Sequence, residues 1–321
     1  MTSEPVRAFC IDFNWDRLNR FSSPGLYSSA DPREHFEWYQ RLGANTVQSF
    51  YVTHNGYAWY RSDIAPTTPG PGARFFEQLA TISADAGMRV MGYFSPGASL
   101  SWHKQHPDLS RDLPGRHHIP FTEQYIDYFG SLLNEALDRV PVDGFMIDWL
   151  WNPDPAWTPV ERQLFRELFG EEFPESPPSQ DVVDEYGRRA VQRMWDRIRL
   201  VGKSANPETI VWLSCNDLEN TQVRDTSVIR EADWLMNENP NMDTLTMAWA
   251  AKGEKSELIQ CVCGWGEDHD ASAAFNDGAP ETGIYGFARP DEITTLPDMT
   301  DPGNARNIRT MRSHFHQQQA E

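Results

Sequence analysis

The sequence is short of positive charge. Its 321 residues carry 47 aspartates and glutamates against 28 lysines and arginines, a formal net charge of −19. Such a surface repels phosphate backbones and anionic lipid over a Debye length, which excludes nucleic acid and membrane surfaces as partners. Long apolar runs are missing as well. No run approaches the ~20 residues of a membrane-spanning helix, and the opening MTSEPVRAFCIDF has no basic segment followed by an apolar stretch, so a soluble chain without a signal peptide is expected. Cysteine is scarce. Cys10, Cys215, Cys261 and Cys263 all fall inside apolar, strand-like runs, where reduced thiols act as small hydrophobes, and this points to the cytoplasm. Cys261 and Cys263 are spaced CxC rather than CxxC and have no further ligands nearby, so no zinc site is expected. No GxGxxG or GxxxxGK[ST] turn and no HExxH motif occurs, so neither a nucleotide cofactor nor a catalytic metal is expected.

What is present is apolar and aromatic. A 39% hydrophobic and 12% aromatic composition can bury a large core, and it suits one domain spanning 1–321. Eight apolar runs recur: VRAFCIDFNW from Val6, NTVQSFYV from Asn45, RVMGYFSPG from Arg89, DGFMIDWLW from Asp143, ETIVWLSCN from Glu208, ADWLMNENP from Ala232, ELIQCVCGWG from Glu257 and TGIYGFARP from Thr282. Stretches of helical period separate most of them. Asp31, Pro32 and Gly43 mark the cap, first residue and end of one helix, Gly87 ends a second, and Thr122 caps a third. The segments between the fifth and sixth runs and between the seventh and eighth are short, and read as weaker helices. Eight strand-helix units in a chain of this size predict an α/β fold, a (β/α)8 TIM barrel. The connections after the third and fourth strands are long, and both belong to the face where such barrels keep their active sites.

The strand ends carry the candidate chemistry. Asp148 closes the fourth run, where an aspartate in an apolar strand is costly unless it is paired or used, and strand alternation aims it into the barrel mouth with Met146. Glu238 closes the sixth. Two carboxylates across a barrel mouth are the equipment of glycosidic cleavage, one to attack or stabilise the anomeric carbon and one to protonate the leaving oxygen. Each has a plainer reading, Asp148 as a turn cap and Glu238 as a rim ion pair. Other rim positions hold groups suited to sugars: Asn14, Trp15, His54, Asn55, Trp102, His103, Trp151, Asn216, Trp265, Glu267 and Arg289, with Asp217, Asp268 and Trp157 beside them. Indoles stack on the apolar faces of pyranose rings, while amides, imidazoles and carboxylates bind hydroxyls. The expected partner is a small carbohydrate substrate. The aromatic-rich insertions are also of a kind that a neighbouring subunit can borrow, which leaves a homo-oligomer open.

The segments DGFMIDWLW, WHKQHPDLSRD and GANTVQSFYVTHNGYAWY together resemble the α-L-fucosidase-like retaining glycoside hydrolases and their barrel relatives. The resemblance implies an aspartate nucleophile at the end of strand four, in a DGxxxD segment that Asp148 matches, and a double displacement through a glycosyl-enzyme ester. It implies an acid/base on a later strand, the position of Glu238. The histidine-rich sugar pocket of that family is not matched, since strand one ends in Asn14-Trp15. Two rivals stand beside it. NENP also looks like the Asn-Glu pair of retaining β-glycosidases, which would pair Glu238 with Glu267, and a catalytically silent carbohydrate-binding barrel would use the same aromatics. An aldolase would need a lysine at a strand end and an amidohydrolase an HxH on strand one, and neither is present.

Overall fold

The computed structural model describes residues 4–113, 116–176, 178–224, 226–241, 243–264, 269–276 and 282–320. Eight parallel strands close into a barrel: β1 (Arg7–Ile11), β2 (Thr46–Gln48), β3 (Arg89–Phe94), β4 (Gly144–Ile147), β5 (Ile210–Cys215), β6 (Trp234–Asn237), β7 (Glu257–Cys263) and β8 (Gly283–Ala288). Each pairs with its sequence neighbours, and β8 closes on β1 through Arg7–Ile284 to Ile11–Ala288. The register slips once, between Tyr285 and Gly286. The strands are buried along most of their length, which is why they read as continuous apolar runs rather than as alternating ones.

The helices form where the caps predict them. Helix Pro32–Leu42 starts at Asp31, whose carboxylate accepts from the N–H groups of Arg33 and Glu34, and ends at Gly43 with φ 84°. Helix Glu123–Arg139 starts at Thr122, and its hydroxyl accepts from Tyr125 N–H. Phe75–Asp85 ends just before Gly87 (φ 74°), and the longest helix is Gln180–Ala205. The two weak crossovers hold the short helices Thr221–Arg224, Val228–Glu231 and Ala271–Asn276. The long connection after β3 folds into helix Leu100–Gln105 and an antiparallel hairpin, Arg111–Leu113 with Arg116–His118. No helix among the described residues is long and apolar enough to cross a membrane.

Side chains fill the barrel below its mouth. Trp212 meets Trp234 and Tyr285 edge-on, with ring centres 5.3 and 5.2 Å away, and the Tyr285 hydroxyl donates to Gln48 Oε1 at 3.0 Å. Gly144 opens β4 because β5 runs too close for a side chain there: a Cβ would lie 2.2 Å from the Ile210 carbonyl oxygen. Gly144→Ala is therefore expected to cost well over the ~1 kcal/mol of losing the Asp31 cap in Asp31→Ala. Thermal unfolding of both variants checks this, and equal Tm values would contradict it.

Candidate active site

Asp148 and Glu238 hold equivalent places. Each is the first residue after a barrel strand, and each donates its backbone N–H to the preceding strand, Asp148 to Phe94 O and Glu238 to Cys215 O, both at 3.0 Å. This fixes their side chains at the carboxyl ends of β4 and β6, where both line a cavity of about 420 Å³. Asp12, the residue after β1, lines it too and accepts from Asn14 N–H at 2.9 Å. Cys10, Met146 and Tyr285 lie toward the packed barrel interior and form its floor.

The two carboxyl groups differ in their company. Tyr93 donates its hydroxyl to Asp148 Oδ2 at 2.6 Å, and Trp149 donates its N–H to Oδ1 at 2.8 Å. The Tyr93 hydroxyl has one hydrogen, so His54 Nε2, 2.9 Å from it, is the donor in that contact. Burial pushes the phenol far above its ordinary range and keeps it protonated. Burial also raises Asp148, but these two donors act against it. Glu238 receives one donor, the Ser214 hydroxyl at 2.8 Å, and burial together with the Asp148 charge pushes it up to about 8. Two carboxyls in one cavity favour a single charge, and the better hydrogen-bonded one takes it more readily. The donors favour the anion at Asp148, and Glu238 is the carboxyl held protonated to higher pH.

Aromatic rings build one wall. Trp149 has φ 52°, a left-handed conformation that bulky residues rarely adopt, and it turns the indole back toward the mouth. Its ring lies 4.7 Å from His54, 5.9 Å from Trp151 and 6.1 Å from Trp15. Trp151 is held from behind by His118, whose Nε2 lies 2.9 Å from its carbonyl oxygen.

Solved structures of similar shape include α-L-fucosidase isoenzyme 2 from Paenibacillus thiaminolyticus, with a TM-score of 0.72 and 14% identity over 98% of this chain and 50% of that one. An α-L-fucosidase of family GH29 from Bacteroides thetaiotaomicron gives 0.51 and 14% identity over 89% and 60%. A bacterial fucosidase with a monovalent iminocyclitol inhibitor gives 0.52 and 14% over 90% and 61%. The fold is that of the α-L-fucosidases. At 14% identity the likeness carries the fold alone, and this chain spans about half to three fifths of the length of those fucosidases. The sequence matches no protein-family model and no curated protein.

Of the rim residues expected to form the site of this barrel, Asn14, Trp15, His54, Trp151 and Asn216 line the cavity beside the two carboxyls. Four others do not line this cavity and are placed elsewhere. Asn55 is buried in its own turn, accepting from Thr53 Oγ1 and Tyr57 N–H and donating to Ser22 O. Trp102 packs among His106, Tyr125 and Tyr128. Arg289 turns outward to Arg17 O and Asn19 Oδ1. His103 stacks on His117 with ring centres 3.8 Å apart, and Asp112 lies alongside. That trio is the described group whose ligand atoms come close enough for a metal, but the imidazoles lie face to face at 14°, so their in-plane lone pairs do not converge on one point. Trp157 packs on Phe173 and Tyr186, away from the cavity. Trp265, Glu267 and Asp268 lie outside the described residues. Asn237, the partner of Glu238 in the Asn-Glu reading, is buried and donates to Thr244 and Gln260 instead.

Sequence reasoning missed Asp12, Tyr93, Trp149, Ser214 and Gln222. For Tyr93 the sequence carries no signal of its own, because its place is set by the register that pairs it with Met146, the inward residue two before Asp148.

Two outcomes follow from these contacts. Tyr93→Phe removes a donor from the Asp148 anion, so the acid limb of any activity profile should move to higher pH and kcat/KM should fall about 10²-fold; an unmoved limb would contradict it. Glu238 binds its proton more tightly folded, at about 8, than unfolded, at 4.5. Its contribution to stability is complete below pH 4.5 and is lost as pH rises to about 8. Glu238→Gln should therefore flatten that decline and raise Tm at pH 8 by ~2 °C or more, read by calorimetry across that window.

Proposed function

We propose that the chain is a retaining glycoside hydrolase that removes a terminal sugar from a small glycoside or oligosaccharide. The observation that carries this reading is the placing of two carboxyls on one cavity, Asp148 with two hydrogen-bond donors and Glu238 with one, which favours the charge on Asp148 and the proton on Glu238. An anion and an acid are the two roles that acetal cleavage requires. A barrel that only bound sugar would have no use for them. The cavity floor, closed by Tyr285 and Met146, suits an exo-acting enzyme that takes a chain end.

In the first step an Asp148 carboxylate oxygen attacks the anomeric carbon. The bond to the leaving oxygen breaks, and that oxygen takes the Glu238 proton. Tyr93 and Trp149 N–H hold the nucleophile in place. In the second step the Glu238 carboxylate takes a proton from water, the resulting hydroxide attacks the same carbon, and the ester bond breaks to restore Asp148. Trp15, Trp149 and Trp151 offer faces for the sugar ring, while Asn14, His54 and Asp12 are set to bind hydroxyls. The retaining course is supported by the resemblance of the Asp148 segment, which ends the fourth barrel strand, to the DGxxxD segment of the retaining fucosidases. No cofactor enters these steps. The barrel is taken as one catalytic domain, and the four buried free cysteines support a cytoplasmic setting.

A panel of aryl fuco-, galacto-, gluco- and arabinosides tests the reading with wild type and Asp148→Gly. Wild-type release, a loss of at least ~10³-fold in the variant, and recovery by azide as a glycosyl azide are expected. Turnover that survives the substitution would overturn the nucleophile assignment and direct the search to Glu267.

A further inference from the structure

Asp12 repeats the placement of Asp148 and Glu238. It is the first residue after β1, and its N–H donates to Ala288 O of β8 at 2.9 Å, as the other two donate to the strand before their own around the barrel. The shared register turns all three side chains into the mouth, and all three line the cavity of about 420 Å³. Strand order then sets them apart. In the closed ring of eight strands β5 stands opposite β1, and β4 and β6 flank β5, so Asp12 faces Asp148 and Glu238 across the mouth. Burial is the main cause of the upward shifts of Glu238 and Tyr93, and Asp12 is among the charges that add to both.

The Asp12 carboxyl is held in one orientation. Oδ1 accepts from Asn14 N–H at 2.9 Å, and Asn14 Oδ1 in turn accepts from His54 N–H at 2.9 Å. With its carbonyl oxygen committed, what Asn14 offers a ligand is its NH2, a donor beside the Asp12 acceptor. A hydroxyl both donates and accepts, and this pair suits it. Phe50, just after β2, and Phe287, on β8, line the cavity from the strands on either side of β1, and such apolar surroundings strengthen a hydrogen bond made among them.

We propose that Asp12 is the specificity-determining residue of the cavity: it takes the hydroxyls at the end of the sugar ring opposite the anomeric carbon, and so confines the site to sugars that are uncharged and unsubstituted there. The inference rests on the glycosidase reading above. The anomeric carbon lies between Asp148, which attacks it, and Glu238, which protonates its leaving oxygen, so the far end of the ring, C3 and C4 of a pyranose, points toward β1. No lysine or arginine lines the cavity among the described residues. A sulfate or phosphate at that end therefore meets Asp12 and no counter-charge.

The probes are fuco-, galacto-, gluco- and arabino-configured aryl and methyl glycosides, with the 3-deoxy and 4-deoxy forms of whichever sugar the wild type handles best. In the wild type, removing the hydroxyl that Asp12 holds is expected to lower kcat/KM at least tenfold. In Asp12→Ala the parent glycoside should fall by as much and the deoxy form no further, a non-additivity that a merely structural loss does not produce. Asp12→Asn keeps an oxygen for Asn14 N–H and should narrow the same gap where the alanine variant folds poorly. No gap for either deoxy form in the wild type, an undiminished gap in a folded variant, or full turnover of a glycoside sulfated at that hydroxyl overturns the assignment. Calorimetric binding to Asp148→Asn reads the contact without turnover: the methyl glycoside should bind at least tenfold more tightly than its deoxy form, and adding Asp12→Ala should erase the difference. A difference that persists overturns the role of Asp12 and leaves the catalytic reading standing. A difference erased by Asp12→Ala, in a wild type that turns nothing over, supports Asp12 and overturns the catalytic reading. Methyl glycosides that do not bind at all overturn both.

Discussion

The site depends on the electrostatics of placing two carboxyl groups in one desolvated cavity. Ionising both costs stability, and leaving both neutral would forfeit the hydrogen bonds that Tyr93 and Trp149 N–H offer to an anion. The remaining solution is asymmetric, and the surroundings decide its direction. Asp148 has two donors and Glu238 has one. His54 adds to the bias indirectly, because its Nε2–H on the Tyr93 oxygen leaves the phenol hydrogen to point at Asp148. The arrangement costs stability at alkaline pH, and the main chain on either side of it holds it in place. Their backbones are pinned to the neighbouring strands at Phe94 and Cys215, so neither residue can swing outward without breaking a ladder hydrogen bond.

The same geometry accounts for the strain beside it. Strand alternation would send Trp149 away from the cavity that Met146 and Asp148 face. A left-handed backbone at Trp149 reverses this, at a cost of order 1–3 kcal/mol, so that its indole meets His54 and Trp15. Its N–H, set by the peptide plane it shares with Asp148, reaches Oδ1, so one residue supplies both a donor to the anion and a ring for the wall. Its neighbour Gly97 has no side chain for a related reason: a Cβ there would lie 2.5 Å from the Trp149 carbonyl oxygen.

The barrel was legible because parallel strands buried on both sides leave continuous apolar runs, and because Asp31, Gly43 and Thr122 carry cap chemistry that depends on local backbone alone. Asp148 and Glu238 were legible for a related reason, as charges that end such runs. The rest of the site divides by what sequence encodes. Following a strand places a residue on the rim but does not say which way its side chain turns. Asn55, Trp102 and Arg289 are on the rim and turn to loop partners, because Ser22, Tyr128 and Asn19 come from segments distant in sequence. Tyr93 and Ser214 looked like core, since they precede the last residue of their strands. Their function appears only once register sets Tyr93 beside Met146 and Ser214 beside Met236.

The two long loops matter because they meet. Arg111, from the hairpin after β3, donates to Glu161 Oε1 at 2.8 Å and also to the Asp154 carbonyl in the loop after β4. Glu161 is buried, and its other oxygen accepts from the N–H and hydroxyl of Thr158, closing the capping box of helix Pro159–Phe169. Removing the guanidinium from a buried carboxylate destabilises by about 3–5 kcal/mol as a general measure, so the loops are joined by more than surface contact. The hairpin that carries Arg111 also carries His118, which holds Trp151, and the loop that Arg111 grips carries Asn152, which holds Gln222. The aromatic wall of the cavity and the Gln222 side chain on its rim therefore share one anchor, built from the loops after β3 and β4, and the cavity keeps its shape to the extent that the Arg111–Glu161 pair holds.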